Sequence, residues 1–311
     1  IRQYLTDTAR EFRIDRHISY GIRILEANWS SAEHAWTLRA ERDADGGEQV
    51  FRCRFLVMGT GYFDQDAGHN PAIDGLERFD GPVIHPQHWP ENMNCAGKRV
   101  LVIGSGATAV TLVPALAGQG ARVTMLQRSP GFLLSLPSRD VVSQMLSRFL
   151  PRKWVFGFAR LANVAMGDWI YRASRRWPGL VRKLMLSLVR VQLKGAADAR
   201  DFEPRYQPWD ERLCVVSDGD LFAAVRAGQA NVVTDEIAGF ATGRVLLKSG
   251  RNVETDIVVT ATGLKLQAFG GIRVTVDGNA YRPGDHMSYK GVLLENLPNL
   301  AWMFGYINHA W

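Results

Sequence analysis

The segment with the clearest chemical potential is Gly104-Ser105-Gly106-Ala107-Thr108-Ala109, which follows the apolar run 99–103 and opens a helical pattern. In such a turn Gly104 permits a tight reversal and Gly106 lets a pyrophosphate approach the backbone. Ala109 takes the third position, where the helix packs closely on the strand. The first helical turn, through Val110, then offers free N–H groups and the positive end of the helix dipole to phosphate. An NAD site carries an acidic residue about 20 positions further on, holding the ribose 2′-hydroxyl. This chain has Gln127-Arg128-Ser129 there. A guanidinium and a hydroxyl suit a 2′-phosphate, so NADPH is the expected cofactor. The competing readings are a plain glycine turn and a solvated surface arginine.

These groups need a βαβ unit to hold them, and the pattern supplies one: a strand over 99–103, a helix over 107–117 and a strand over 122–126. Such a unit implies a parallel sheet. Upstream, Tyr4, Leu5, Ala9 and Phe12 fall at helical spacing. Strands are expected over 18–24 and 35–40, with a polar turn from Asn28 to His34, and over 51–58, ending at Gly59-Thr60-Gly61. Residues 64–98 read as an ordered connector and 139–200 as long helices. A helix over 221–226 and strands over 231–235, 244–248 and 256–261 follow, the last ending at Thr262-Gly263. Gly61, Thr262 and Gly263 are candidate cofactor-facing positions, because small residues after a strand let a ligand reach the backbone. A plain turn is the alternative.

Composition narrows the class. With 46% hydrophobic and 22% charged residues, the chain reads as an ordinary globular protein and not a disordered one. Its three cysteines form no CxxC pair, which argues against a disulfide framework or a structural zinc site, and no metal site is expected. A reducing compartment follows, and with no signal-peptide pattern at the start a cytoplasmic location is expected. The run 100–121 has membrane-spanning length, but Gly104, Gly106, Thr111 and Pro114 fit the nucleotide turn better. The net charge of +6 points to an anionic partner. It is uneven: residues 139–200 hold 13 Lys and Arg against three acids, interleaved with Trp154, Trp169 and Trp177. This segment reads as a cap packed on the nucleotide domain or, alternatively, as a peripheral membrane contact. Nucleic acid is not expected. Ile1 and the terminal Asn308-His309-Ala310-Trp311 read as cut ends, so a longer reading frame is expected.

The connector carries a fingerprint. Phe79-Asp-Gly81-Pro-Val-Ile-His85-Pro-Gln-His-Trp89 fits FxGxxxHxxxW and lies just before the glycine turn. With HPQHWP (85–90), IGSGATAVTLVPAL (103–116), VTMLQRSP (123–130), RLCVVSDGDLF (212–222) and ATGL (261–264), the chain resembles class B flavoprotein monooxygenases of the Baeyer–Villiger type, and among them the bacterial ethionamide-activating enzymes. The resemblance implies an α/β fold: a Rossmann-like NADPH-binding domain with a helical insertion, flanked by parts of a second Rossmann-like FAD domain. Expected boundaries are 1–63 (end of the first FAD segment), 64–98 (fingerprint linker), 99–240 (NADPH domain, insertion 139–200) and 241–311 (return to the FAD domain). It implies FAD and NADPH as cofactors and O2 as co-substrate. Oxygen would enter a lipophilic ketone, giving an ester, or a thioether or thioamide sulfur, through a peroxide formed at C4a of the reduced flavin.

It also implies roles for residues. His85 and Trp89 would couple domain movement to catalysis, where the residues alone read as a packed or capping histidine and a core tryptophan. Arg212 matches the active-site arginine of the family, a permanent cation that stabilises the peroxide and the charge developing on the substrate. Its alternative role is a structural pair with Asp210 or Glu211. The family's lysine before that arginine is replaced by Glu211, which weakens an expected NADPH contact. The family's first dinucleotide motif, for FAD, has no counterpart in these residues, and the tail Gly305–Trp311 departs from the family pattern at His309 and Ala310. An oligomer is compatible with all of this. The alternative function is a truncated, non-catalytic NADP(H)-binding relative in contact with a membrane surface.

Overall fold

A computed structural model describes residues 2–69, 71, 73–211 and 213–304. The chain begins with α1 (Arg2–Glu11), then β1 (Ile22–Ser30), β2 (Ala35–Arg42), β3 (Glu48–Cys53), β4 (Leu56–Met58), β5 (Phe63–Gly68) and β6 (Val83–Ile84). There follow β7 (Arg99–Ile103), α2 (Ala107–Gly118), β8 (Arg122–Gln127), β9 (Phe132–Leu136), α3 (Val141–Leu146), α4 (Arg152–Arg176) and α5 (Pro178–Leu193). Next come β10 (Leu213–Ser217), α6 (Asp220–Arg226), β11 (Ala230–Thr234), β12 (Ile237–Ala241), β13 (Arg244–Leu247), β14 (Asn252–Glu254) and β15 (Ile257–Thr260). The last strands are β16 (Leu264–Leu266), β17 (Arg273–Val276), β18 (Asn279–Ala280), β19 (Ser288–Tyr289), β20 (Leu293–Leu294) and β21 (Leu300–Trp302). The fold class is mixed α/β with parallel sheets, as the sequence leads one to expect. Two compact units form: one from residues up to Ala67 with those from Leu264 onward, the other from Gly68 to Gly263.

The second unit is built on a five-stranded parallel sheet in the order β11-β8-β7-β15-β6. Its strands are apolar on both faces, and the structure shows where each face goes. Val100, Val102, Val123, Met125, Ile257 and Val259 point to the core shared with α2, α5 and α6. Leu101, Ile103, Leu126 and Val258 alternate with them and meet the antiparallel β12-β13-β14 ribbon through Phe240, Val245 and Leu247. Covering on both faces is why continuous hydrophobic runs are required here. Each fully buried aliphatic side chain contributes about 1.5–3 kcal/mol. At the other end of the strands the Asp256 carboxylate accepts from the Arg99 backbone N–H (2.8 Å) and from its guanidinium (2.6 Å), fixing β15 against β7. Beside this sheet β9 and β10 pair in parallel, and α5 packs Met185 and Leu186 on Phe132.

In the first unit β1, β2 and β3 form an antiparallel meander extended by β17 and β18. Trp36 is fully buried, its indole N–H donating to the carbonyls of Pro298 and Asn299. Two sequence expectations change here. The polar turn from Asn28 is strand as far as Ser30, because the Asn28 side chain accepts from the Thr275 hydroxyl and Trp29 is buried against Trp36. The strand expected over 51–58 is two strands in different sheets. The break falls at Arg54, whose carbonyl accepts from Asn299, after which β4 pairs in parallel with β21.

Candidate functional site

The glycine turn lies at the C-terminal edge of the parallel sheet, between β7 and α2. Gly104 has φ +126°, and a Cβ there would sit 2.4 Å from the Ala261 carbonyl oxygen, so only glycine fits. Its N–H donates to Leu126 O (2.8 Å), which ties the turn to β8 as well. Gly106 is the N-cap of α2 and supplies no side-chain cap, so the N-terminal N–H groups of that helix stay available for an anion. Ala107 and Thr108 are exposed at this end, while Ala109 and Val110 are buried against the sheet. The Ser105 hydroxyl donates to Ser129 O (3.4 Å), drawing the end of β8 to the turn. Gln127 is buried, its amide donating to Asp201 O (2.5 Å) and the Thr234 hydroxyl (3.0 Å). Arg128 and Ser129 are exposed at the strand end. The Glu236 carboxyl is held below its ordinary range chiefly by its bond to Lys248, with Arg128 adding to the positive field.

The fingerprint residues assemble beside this turn. Phe79 is buried edge-to-face against Phe240. Gly81 runs so close to β15 that a Cβ would meet Asp256 O at 2.5 Å. Together they lay β6 along β15, in the register Val83↔Val258 and Ile84↔Val259. His85 therefore emerges at the end of β6, level with the end of β15. Its Nδ1 accepts from Gln87 N–H (3.3 Å), which leaves the proton on Nε2 to donate to Gly263 O (3.1 Å). That same carbonyl accepts from His69 N–H (3.1 Å), and the Thr262 hydroxyl donates to His69 O (2.5 Å). Trp89 packs half-buried against the main core. Both chain crossings at the edge of this unit, 68–69 and 262–263, are thus clasped by His85.

Two residues of this clasp carried no signal in the fingerprint. A Cβ on Gly68 would lie 2.0 Å from the His85 ring, so the glycine is required by the imidazole that covers it. Ala261 acts through its carbonyl alone. A glycine directly before a histidine at the end of β5 was the available clue for the first; for the second, the ATGL run marked the segment but not the carbonyl.

The structure brings together Gly104 to Val110, Arg128, Ser129, His85, Thr262 and Gly263 in one unit. Gly61 belongs to the other, where it follows β4 with φ +65° and its carbonyl accepts from Trp302 (3.2 Å). A Cβ at Gly59 or Gly61 would meet nothing within 4 Å. A recess lined by Leu38, Leu56, Met58, Thr60 and Ile272 adjoins that turn. Arg212 lies outside the described residues, as does the tail from Gly305. On either side of Arg212, Asp210 is paired with Arg175 (3.0 Å) and the Cys214 thiol approaches Ser105 O (3.9 Å).

Comparison with known proteins finds similarity to flavin monooxygenases. Residues 1–150 match the model of the flavin-binding monooxygenase-like family. All of this chain is 51% identical to the putative FAD-containing monooxygenase MymA and 46% identical to the FAD-containing monooxygenase EthA, both of Mycobacterium tuberculosis, and it spans 64% of each. The fold is shared with an open crystal structure of cyclohexanone monooxygenase, with a TM-score of 0.75 at 22% identity over 97% of this chain and 66% of that one. An oxidised steroid monooxygenase bound to NADP superposes at 0.72 and 21% identity, over 97% and 64% of the two chains. With monooxygenases as relatives, the non-catalytic alternative is not favoured. The chain is thus similar to FAD-containing monooxygenases along its whole length and spans 64% of theirs.

Proposed function

We propose that this chain serves an FAD- and NADPH-dependent monooxygenase of Baeyer–Villiger type, inserting one oxygen atom into a lipophilic ketone or oxidising a thioether or thioamide sulfur. The observation that carries the reading is the cradle at Gly104: a turn with no room for a side chain, facing an uncapped helix N-terminus. That geometry fits a pyrophosphate. The N–H groups of α2 would hold NADPH by its pyrophosphate, and Arg128 with Ser129 would receive the 2′-phosphate. For FAD the chain offers the open glycine turn after β4, where small residues leave space at the end of a parallel strand. When bound, the flavin supplies hydride acceptance and oxygen activation.

The protein groups do the orienting. Arg212 would hold negative charge as it develops on substrate oxygen. His85 would keep the crossings 68–69 and 262–263 together while the cofactors exchange hydride. The test is NADPH-dependent oxygen uptake by the FAD-loaded protein, with a cyclic ketone and with a thioether. Uptake with NADPH well above NADH is expected, and Arg212→Ala should abolish product. Arg128→Ala should raise the KM for NADPH about ten- to a hundredfold, the value of a charge-assisted hydrogen bond, and leave that for NADH unchanged. Equal rates with both nucleotides overturn the NADPH assignment. An FAD-loaded protein that takes up no oxygen overturns the enzyme reading.

A further inference from the structure

The helices α4 and α5 present a surface that the chemistry above does not use. One face of α5 is buried through Met185, Leu186, Val189 and Leu193. On its opposite face Leu180, Leu184, Leu188 and Val191 recur at helical spacing and stand 67, 58, 45 and 71% exposed. Lys183 and Arg190 lie on one flank of that stripe, by the 100° step of the helix, and the exposed Lys194 follows at its C-cap. The 25-residue α4 is exposed through its middle, and its Trp154, Phe158, Leu161 and Trp169 line a second apolar seam with Lys153 and Arg160 nearby. Single exposed leucines are ordinary; two contiguous apolar stripes mark a docking surface.

Charge decides between the occupants. The segment 139–200 has 13 basic residues against three acidic ones, although the whole chain is only +6. Of those acids, Asp168 and Asp198 are already paired with Arg172 and Arg200. A second copy docked here would set two strongly positive faces together. A bilayer rich in anionic phospholipid complements both features, taking the apolar stripe at the acyl boundary and the cations at the headgroups. No helix among the described residues is long and apolar enough to cross a membrane, so the contact lies in the interface plane. We propose that α4 and α5 dock the protein on an anionic bilayer surface, with Leu180, Leu184, Leu188 and Val191 inserted and Lys183, Arg190 and Lys194 at the phosphates.

Flotation of the purified protein with vesicles tests this, comparing equal parts phosphatidylglycerol and phosphatidylcholine with phosphatidylcholine alone. Flotation on the anionic vesicles only, with a blue shift of tryptophan emission, is expected. Leu184→Glu with Leu188→Glu should abolish it. Lys183→Glu with Arg190→Glu should weaken it by roughly tenfold or more, since each cation near an anionic surface matters separately. Because these side chains point outward, both variants should keep the parent's thermal midpoint and its binding of NADPH. Equal binding to both vesicle types overturns the proposal. So does absence of binding, whether light scattering finds a monomer or a dimer that Leu184→Glu dissociates.

Discussion

Two turns in this protein share a pattern and differ in circumstance. Gly59-Thr60-Gly61 and Ala261-Thr262-Gly263 each follow a short apolar strand with a small residue, a threonine and a glycine. The second ends β15, which is buried along its whole length between β7 and β6. There every group has work: the Ala261 carbonyl closes over Gly104, Thr262 donates to His69 and Gly263 accepts from His85. The first ends β4, which has β21 as its neighbour, and its glycines face open space. Two closely similar turns are thus closed inside a packed sheet in one place and left open in the other. What distinguishes them is the number of strands alongside, a property their sequences do not contain.

The sharpest way to break this contrast is a methyl group on each side. Gly104→Ala combines a positive φ with a 2.4 Å approach to backbone, and should lose several kcal/mol of stability together with NADPH binding. Gly61→Ala has the positive φ without the clash and should cost about 1–2 kcal/mol. Chemical denaturation of the two variants side by side checks this, and equal losses would remove the distinction.

Next in size is the clasp. Gly68→Ala should cost about 1–3 kcal/mol, because the imidazole must leave its place over the glycine. His85→Ala relieves that clash but forfeits the bond to Gly263, for about 1 kcal/mol. If the ring is what makes Gly68 obligatory, Gly68→Ala in the His85→Ala background should be nearly silent. Additive losses in the double-mutant cycle would sink that account.

The smallest effect concerns acid. The guanidinium and backbone N–H of Arg99 hold the Asp256 carboxyl down at about 2. A group with a depressed folded pKa stabilises above its unfolded value, and that stability is lost as pH falls through the folded one. Unfolding free energy should therefore drop between about pH 5 and pH 2, and Asp256→Asn should flatten that part of the profile. A third of the side chain is exposed, so screening leaves about 1 kcal/mol at stake.

Much of the second unit was legible in the sequence because its signals are local. The glycine turn, the apolar runs of β7, β8 and β15, and the helix α2 each declare themselves within about a dozen residues. The fingerprint pointed to His85 and Trp89, and the residues alone read as a capping histidine and a core tryptophan, as found; the bond from His85 to Gly263 was not legible. Phe79 and Gly81 acquire meaning only once β6 lies along β15, a pairing of two short strands far apart in the chain. Gly68 was invisible for the same reason, since it matters through a ring that covers it, and Ala261 stood in the ATGL run without its carbonyl's part being legible. Gln127 stood beside Arg128 in a strand-end motif, yet pleating turns it inward to Asp201 and Thr234. In the first unit the polar letters of Asn28 to Ser30 concealed a strand, since one hydrogen bond to Thr275 and the burial of Trp29 outweigh local polarity.

The contact between Gly104 and Ala261 also sets an order of assembly. Arg99 and Asp256, which pin the same two strands, are 157 residues apart. During synthesis β7, α2 and β8 emerge early and can collapse as a local unit. Until β15 arrives, the edge strand β6 has no neighbour to join and the glycine turn lacks the carbonyl that closes it. Insertion of that late central strand is a long-range event of the kind that slows folding. A nascent chain halted before residue 257 should carry the glycine motif intact and still fail to retain a nucleotide.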